Sequence, residues 1–180
     1  MNVFLFFILL TLVSCKNLRN LATFDFTTFY DELIDRHNTL RNIHSAPPLT
    51  KDTDIAKLAQ NTADICKASL KLGHSGTSYN GQWMGQNLYA SGGIVPKGAD
   101  VTNLWYLENN NYDYATGEAK NNAVVGHFTQ LVWKSSTKIG CAVAQGYFKG
   151  FDTGYYICCN YFPGGNILGQ YINNVLKPIS

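Results

Sequence analysis

The residues best suited to chemistry in this 180-residue chain are two histidines, one carboxylate and one amide, spread over more than fifty positions. His127 sits in GHFTQLVW (Gly126 to Trp133), behind a glycine and ahead of an apolar run that ends in tryptophan. An imidazole there either fills a core or faces a cleft. Glu108 closes WYLE three residues after Trp105, which on a helix places a carboxylate on the tryptophan's face. Such a group must be hydrogen-bonded or paired if that face is buried, because an isolated buried carboxylate is very costly; otherwise it sits at the rim. His74 lies in a stretch punctuated by glycines 73, 76, 81 and 85, either as a solvated turn residue or as a functional one, and Gln86 follows that stretch. Ser75 beside His74 raises a serine-nucleophile reading. Chain neighbours rarely present their side chains to each other as a nucleophile and base must, and no G-x-S-x-G is present. Spacing alone cannot bring these residues together.

The elements that must position them are legible from periodicity. Phe29, Leu33, Leu40 and Ile43 recur at helical spacing and predict a first helix over 26–43, with Thr27 or Thr28 as N-cap and SAPPL (Ser45 to Leu49) as its stop. A second helix is expected over about 52–70, with Ile55, Leu58, Ala59, Thr62, Cys66 and Leu70 on one face. QNLYAS predicts a short strand. A short helix is expected over 100–108, with Val101, Leu104, Trp105 and Glu108 sharing a face. The polar, turn-rich stretch 109–122 reads as a surface excursion. Strands over 139–148 and 155–162, joined by KGFDTG, read as a hairpin. Helices first and strands last imply a mixed fold in which helices cover an antiparallel sheet.

Composition narrows the function. With 46% hydrophobic and 13% aromatic residues, the chain supports one well-buried domain and not disorder. A net charge of +2 with no Lys/Arg cluster argues against nucleic acid as a partner. The opening MNVFLFFILLTLVSC is too short an apolar run to cross a bilayer and fits a secretory signal over 1–15, implying an extracellular, secreted protein without a transmembrane span. Removal after Cys15 leaves Cys66, Cys141, Cys158 and Cys159, an even set suited to an oxidising compartment. LVSC also fits a lipoprotein cleavage box, which would instead leave a lipidated Cys15.

Five stretches together resemble one family. GHFTQLVWKSS (Gly126 to Ser136) and YICCNYFPGGN (Tyr156 to Asn166) are similar to the two signature motifs of the CAP superfamily, the cysteine-rich secretory, antigen 5 and pathogenesis-related 1 proteins, also called SCP or TAPS proteins. HNTLR (His37 to Arg41), GQNL (Gly85 to Leu88) and WYLE resemble its smaller motifs, in the same order. The tail resembles that of the short Golgi-associated plant-pathogenesis-related type. The resemblance covers 26–180 as a single domain and implies an α+β fold, an α-β-α sandwich with helices on both faces of a mostly antiparallel sheet.

It also implies a cleft tetrad of His74, Gln86, Glu108 and His127. The family's second acidic residue is Gln86 here, and an amide cannot exchange a proton, so Glu108 is the one carboxylate able to work beside the histidines. His74 and His127 are expected to hold a divalent cation such as zinc weakly, because a structural zinc site normally has four protein ligands and a catalytic one three. The leading expectation is a non-enzymatic extracellular binder of a sterol, a fatty acid or another ligand. A metal-dependent hydrolase or protease using His74, Glu108 and His127 is the alternative, and an extracellular protein-interaction module a third. HNTLR is expected to be scaffold, as are Thr129, Gln130 and Trp133 around the tetrad. Family likeness pairs Cys141 with Cys159. Strand alternation turns Cys158 to the other sheet face, where Cys66 is its expected partner.

Overall fold

The computed structural model describes residues 24–179. The expected signal segment 1–15, Cys15 included, lies outside them. Helix α1 (Phe26–Ile43) buries Phe29, Leu33, Ile34, His37, Leu40 and Arg41, the face its apolar spacing selects. Its N-cap is Asp25, whose carboxylate accepts from the Thr27 amide at 2.9 Å. Neither threonine caps the helix, because the charged acceptor one turn earlier is already in place. Strand β1 (Thr50–Lys51) follows the proline stop, and α2 (Thr53–Ser69), capped by Asp52, packs its Ile55, Ala59, Thr62, Ala63 and Cys66 inward. Leu70, expected on that face, is instead the left-handed C-cap and is 46% exposed.

A small hairpin, β2 (Ser78–Tyr79) and β3 (Gln82–Trp83), leads into β4 (Gly85–Gly92); α3 (Gly98–Tyr106) runs into a 3-10 turn at Leu107–Asn111. The short ladder β5 (Tyr112–Asp113) and β6 (Glu118–Ala119) precedes α4 (Gly126–Leu131), the hairpin β7 (Lys138–Phe148) and β8 (Phe151–Phe162), and a last turn, α5 (Tyr171–Asn174). Within 109–122, Tyr112 is only 1% exposed, so this stretch is anchored in the core and not wholly a surface excursion. The late hairpin is tighter than expected. Strand β8 already begins at Phe151, inside KGFDTG.

The main sheet has the order β1-β7-β8-β4, with β1 parallel to β7 and the other neighbours antiparallel. Alternation along the strands divides the core in two. One apolar cluster gathers Phe29, Leu33, Leu40, Trp105, Phe128 and Trp133 from α1, α3 and the α4 segment against Ile139, Cys141, Cys159 and Tyr161. The other sets Ala59, Ala63 and Cys66 of α2 against Leu88, Ala142, Ala144, Tyr156 and Cys158. This is the expected α-β-α sandwich. Helix α2 lies so close to β7 that a Cβ at Gly140 would stand 2.2 Å from the Ala56 nitrogen, which only glycine avoids. On α3, Leu104 is 48% exposed and does not share the buried face of Val101 and Trp105.

Cys141 and Cys159, directly opposite across β7 and β8, form a disulfide. Cys158 does turn to the α2 face, in the same cluster as Cys66, but both are free buried thiols and the expected second bridge is not formed. Each sulfur has another neighbour: Cys66 Sγ points to the Gly73 carbonyl at 3.6 Å and Cys158 Sγ to Asn160 Oδ1 at 3.5 Å. Burial pushes the Cys158 thiol well above its ordinary range, which disfavours the thiolate needed for exchange.

The scaffold role expected of HNTLR is visible in its bonds. Arg41, fully buried, donates Nε to Pro47 O at 2.8 Å, Nη1 to Leu131 O and Trp133 O at 2.9 Å each, and Nη2 to Ser136 O at 2.7 Å. Burial lowers its pKa to about 10, still far above neutrality. Asn38 brackets Leu49, accepting from its amide at 2.8 Å and donating to its carbonyl at 3.2 Å. His37 donates Nδ1–H to the Leu33 carbonyl at 2.8 Å and accepts the Tyr161 hydroxyl on Nε2 at 2.8 Å.

Two outcomes follow for stability. Arg41→Lys keeps the charge but cannot reach four carbonyls with one ammonium, so it should lower the unfolding free energy by on the order of 3 kcal/mol in urea titrations. Desolvation depresses His37 from 6.5 to about 3 and lowers His44 as well. Because the unfolded chain takes up those protons first, stability is complete above about pH 6.5 and should fall as pH drops toward 4, by up to roughly 1.4 kcal/mol per pH unit for each histidine. His37→Gln should flatten that slope; an unchanged slope would contradict the assignment.

Candidate ligand cleft

A cleft of about 380 Å³ opens beside β4, and His74, Gln86 and His127 all line it, with Trp83, Met84, Asn87, Val124, Gln130 and Asn166. The four residues expected to form a tetrad sit as two hydrogen-bonded pairs. On one side the His74 ring bonds through Nδ1 to Gln86 Oε1 at 3.1 Å. On the other the His127 ring bonds through Nδ1 to Glu108 Oε1 at 2.7 Å.

Glu108 lies in the 3-10 turn after α3, half-buried, and its second oxygen accepts from the His127 and Phe128 amides at 2.9 and 3.1 Å. Helix α4 has no side-chain cap of its own. Glu108 serves as one from a distance, satisfying the free N–H groups of the first turn while fixing the imidazole. Glu108 is thus the paired carboxylate that its spacing after Trp105 allowed. Trp105 stacks near-parallel on the His127 ring, 6.2 Å between centroids, and donates its Nε1–H to Leu88 O at 3.2 Å.

Gln86 lies directly opposite Asn160 in the β4–β8 ladder. Its Oε1 accepts from the Ser75 amide at 3.3 Å as well as from His74, and its Nε2 donates to Asn160 Oδ1 at 2.9 Å and Ser75 Oγ at 3.1 Å. The Ser75 N–H can only donate, so it fixes which end of the Gln86 amide faces His74. The Ser75 hydroxyl is engaged by Thr62 Oγ1 at 2.7 Å. Among the described residues it makes no hydrogen bond to an imidazole, which removes the geometric basis of a Ser75–His74 nucleophile.

Asn87, next in the strand, points to the opposite side, donating to His127 O at 3.0 Å and to the Tyr161 hydroxyl at 3.2 Å. Gln130 anchors the floor, its Oε1 accepting from the Gly165 amide at 2.8 Å and its Nε2 donating to Ser136 Oγ at 3.1 Å. A Cβ at Gly85 would lie 1.7 Å from that Oε1, so the strand must begin with glycine. Thr129 donates to Asn166 Oδ1 at 2.6 Å, and Trp133 is 1% exposed. All three of Thr129, Gln130 and Trp133 are buried, Thr129 and Gln130 with their side chains hydrogen-bonded. Sequence reasoning missed Asn87, Asn160 and Thr62 as participants. The available signal was strand alternation around Gln86, which sends 86 and 87 to different layers.

The hydrogen bonds fix the chemistry left over. A carboxylate and an amide oxygen only accept, so each ring, when neutral, carries its proton on Nδ1 and its lone pair on Nε2. Nitrogen donors with Nδ1 held by an oxygen suit a divalent transition metal. Among the described residues no group of three or more His, Cys, Asp or Glu is arranged to hold a metal ion. A cation held by these two rings would therefore have two side-chain nitrogen donors, an open and not a closed coordination.

A model of the CAP family, described as the cysteine-rich secretory protein family, matches residues 34–161. The chain belongs to this family. Pathogenesis-related protein 1B of Nicotiana tabacum is 36% identical over 139 residues, 77% of each chain. Secreted protein RBT4 of Candida albicans is 36% identical over 162 residues, 84% of this chain and 42% of its own, so this chain spans less than half of it. Among solved structures, MpPR-1i matches with a TM-score of 0.60 at 18% identity over 86% of this chain and all of its own. NaASP2 with Zn²⁺ matches at 0.54 and 21% over 85% and 87%. At those identities the likeness is one of fold.

Glu108→Ala removes three acceptor contacts at once and should destabilise the fold by about 2 kcal/mol, with a shift in the His127 ring nitrogen resonances. Glu108→Gln retains an oxygen acceptor and should lose less. Equal losses in the two variants would contradict the capping role.

Proposed function

We propose that this chain is a secreted, extracellular CAP-domain protein that binds a ligand in the central cleft without transforming it, aided by a weakly held divalent cation on His74 and His127. The observation that carries the reading is that both rings line one cleft, each with Nδ1 committed to a side-chain oxygen. What remains on each ring is the Nε2 lone pair, a donor suited to a cation. A cation there supplies a positive centre to which an anionic or carbonyl group of a ligand can attach, and the half-exposed Trp83 and the exposed Val124 offer apolar contact. A sterol or a fatty acid fits this mixture of surfaces, and an extracellular protein partner is the other candidate. NaASP2 solved with Zn²⁺ lends support to the metal part, and the secreted RBT4 to the location.

The hydrolase reading is favoured by the 2.7 Å His127–Glu108 pair, which resembles an oriented general base. Against it stand an engaged Ser75 hydroxyl, no second carboxylate at position 86, and a Glu108 occupied by two backbone amides. Calorimetric titration with Zn²⁺ tests the proposal: His74→Ala and His127→Ala should each weaken binding by about tenfold or more, and fluorescent sterol should be taken up saturably with no turnover of peptide or ester substrates. Zinc affinity unchanged in both variants, or hydrolysis abolished by them, would overturn it.

A further inference from the structure

Asn80 and Gly81 form the only Asn-Gly step in the chain, and the fold sets it at the tip of the hairpin whose second strand reaches the cleft. Tyr79 pairs with Gln82 and Ser78 with Trp83, so Asn80-Gly81 is a two-residue loop. Both residues have positive φ, 51° and 74°, the conformation a primed hairpin turn needs and these two residue types adopt at least cost. Both are exposed. The Gly81 N–H takes part in none of the backbone hydrogen bonds of turns and loops among the described residues, and nothing stands within 4 Å of where a Gly81 Cβ would be. Strands β2 and β3 are two residues each, and so short a ladder opens at little cost.

An exposed asparagine followed by an unhindered glycine N–H, in a loop that opens, can be attacked by its own backbone. The Gly81 nitrogen, once deprotonated by solvent base, bonds to Asn80 Cγ, and the side-chain nitrogen leaves as ammonia, closing a succinimide. Water then opens the ring. Hydrolysis at Cγ gives aspartate; hydrolysis at the main-chain carbonyl gives isoaspartate, in which the backbone runs through Cβ. One water is consumed for one ammonia released, nothing is oxidised, and either product lowers the chain's formal charge of +2 by one. Aspartate tolerates the left-handed conformation and keeps the loop. Isoaspartate adds a backbone atom, which a two-residue turn cannot absorb without changing register. That change reaches the cleft through Trp83, which is 50% exposed, lines the cleft and accepts the Gly164 amide on its carbonyl at 3.3 Å.

We propose that Asn80 is a site of spontaneous deamidation and that its isoaspartyl product displaces Trp83 on the cleft wall. The purified chain is incubated in mildly alkaline buffer beside a synthetic peptide of residues 76–86, and conversion is followed by peptide mapping that separates the two acid isomers. Asn80 should convert within about tenfold of the peptide's rate, the delay of a small local opening. Asn87, 1% exposed and held by two hydrogen bonds, should stay intact as the internal control. An intact Asn80 in the folded chain once the peptide is fully converted would overturn the site. Asn80→Asp supplies the aspartyl form directly. Because Trp105 and Trp133 are 3% and 1% exposed, acrylamide quenching reads Trp83, and the isoaspartyl fraction should be quenched more strongly than either wild type or Asn80→Asp. Equal quenching in all three would overturn the effect on the cleft wall.

Discussion

Two adjacent residues of one strand hold the site together. Strand alternation sends Gln86 to the α2 layer, where it orders His74 and meets Ser75 and Asn160, and sends Asn87 to the opposite layer, where it holds the His127 carbonyl and the Tyr161 hydroxyl. The two histidine-bearing segments have no common element. Their approach is set by the β4–β8 ladder, which places Gln86 against Asn160 and Asn87 against Cys159. A slip of one residue in that ladder would exchange the two side chains between layers and disband the cleft.

Behind Asn87 runs a directional chain of buried bonds. Asn87 donates to the Tyr161 oxygen, the Tyr161 hydroxyl donates to His37 Nε2, and His37 Nδ1 donates to Leu33 O. Helix α1, the sheet and the start of α4 are thus connected through satisfied polar groups in an apolar layer, a pattern that fixes one arrangement. The network around Gln86 on the other face is less complete, since Asn160 Nδ2 goes unpaired. The Asn87 side is a bonded chain, and the Gln86 side carries one buried donor without a partner.

Much of this was legible in the sequence, for identifiable reasons. Helix α1 has the expected boundaries because its apolar period is strong, and the α-β-α layering follows from helices preceding the late hairpin. Periodicity misplaced Leu70 and Leu104 because it reports a face, not where the helix ends or how wide the covering layer is. Tyr112 was hidden in a polar stretch, where one aromatic anchor leaves no pattern. A shared face does not by itself specify a Cys66–Cys158 bridge: the two thiols lie on that face, each beside a carbonyl or amide oxygen. The tetrad became visible only through family likeness, since its members come from separate loops and helices, and Asn87 and Asn160 needed the ladder register to be seen as participants.

The central claim is that His74 and His127 converge on one cleft and share one cation without a third protein ligand. A crystal soaked in zinc and measured at the zinc absorption edge tests it directly. The account predicts a single anomalous peak within bonding distance of both Nε2 atoms, its remaining coordination filled by solvent. A peak bound to Glu108 or Ser75, or separate peaks at the two rings, would contradict it.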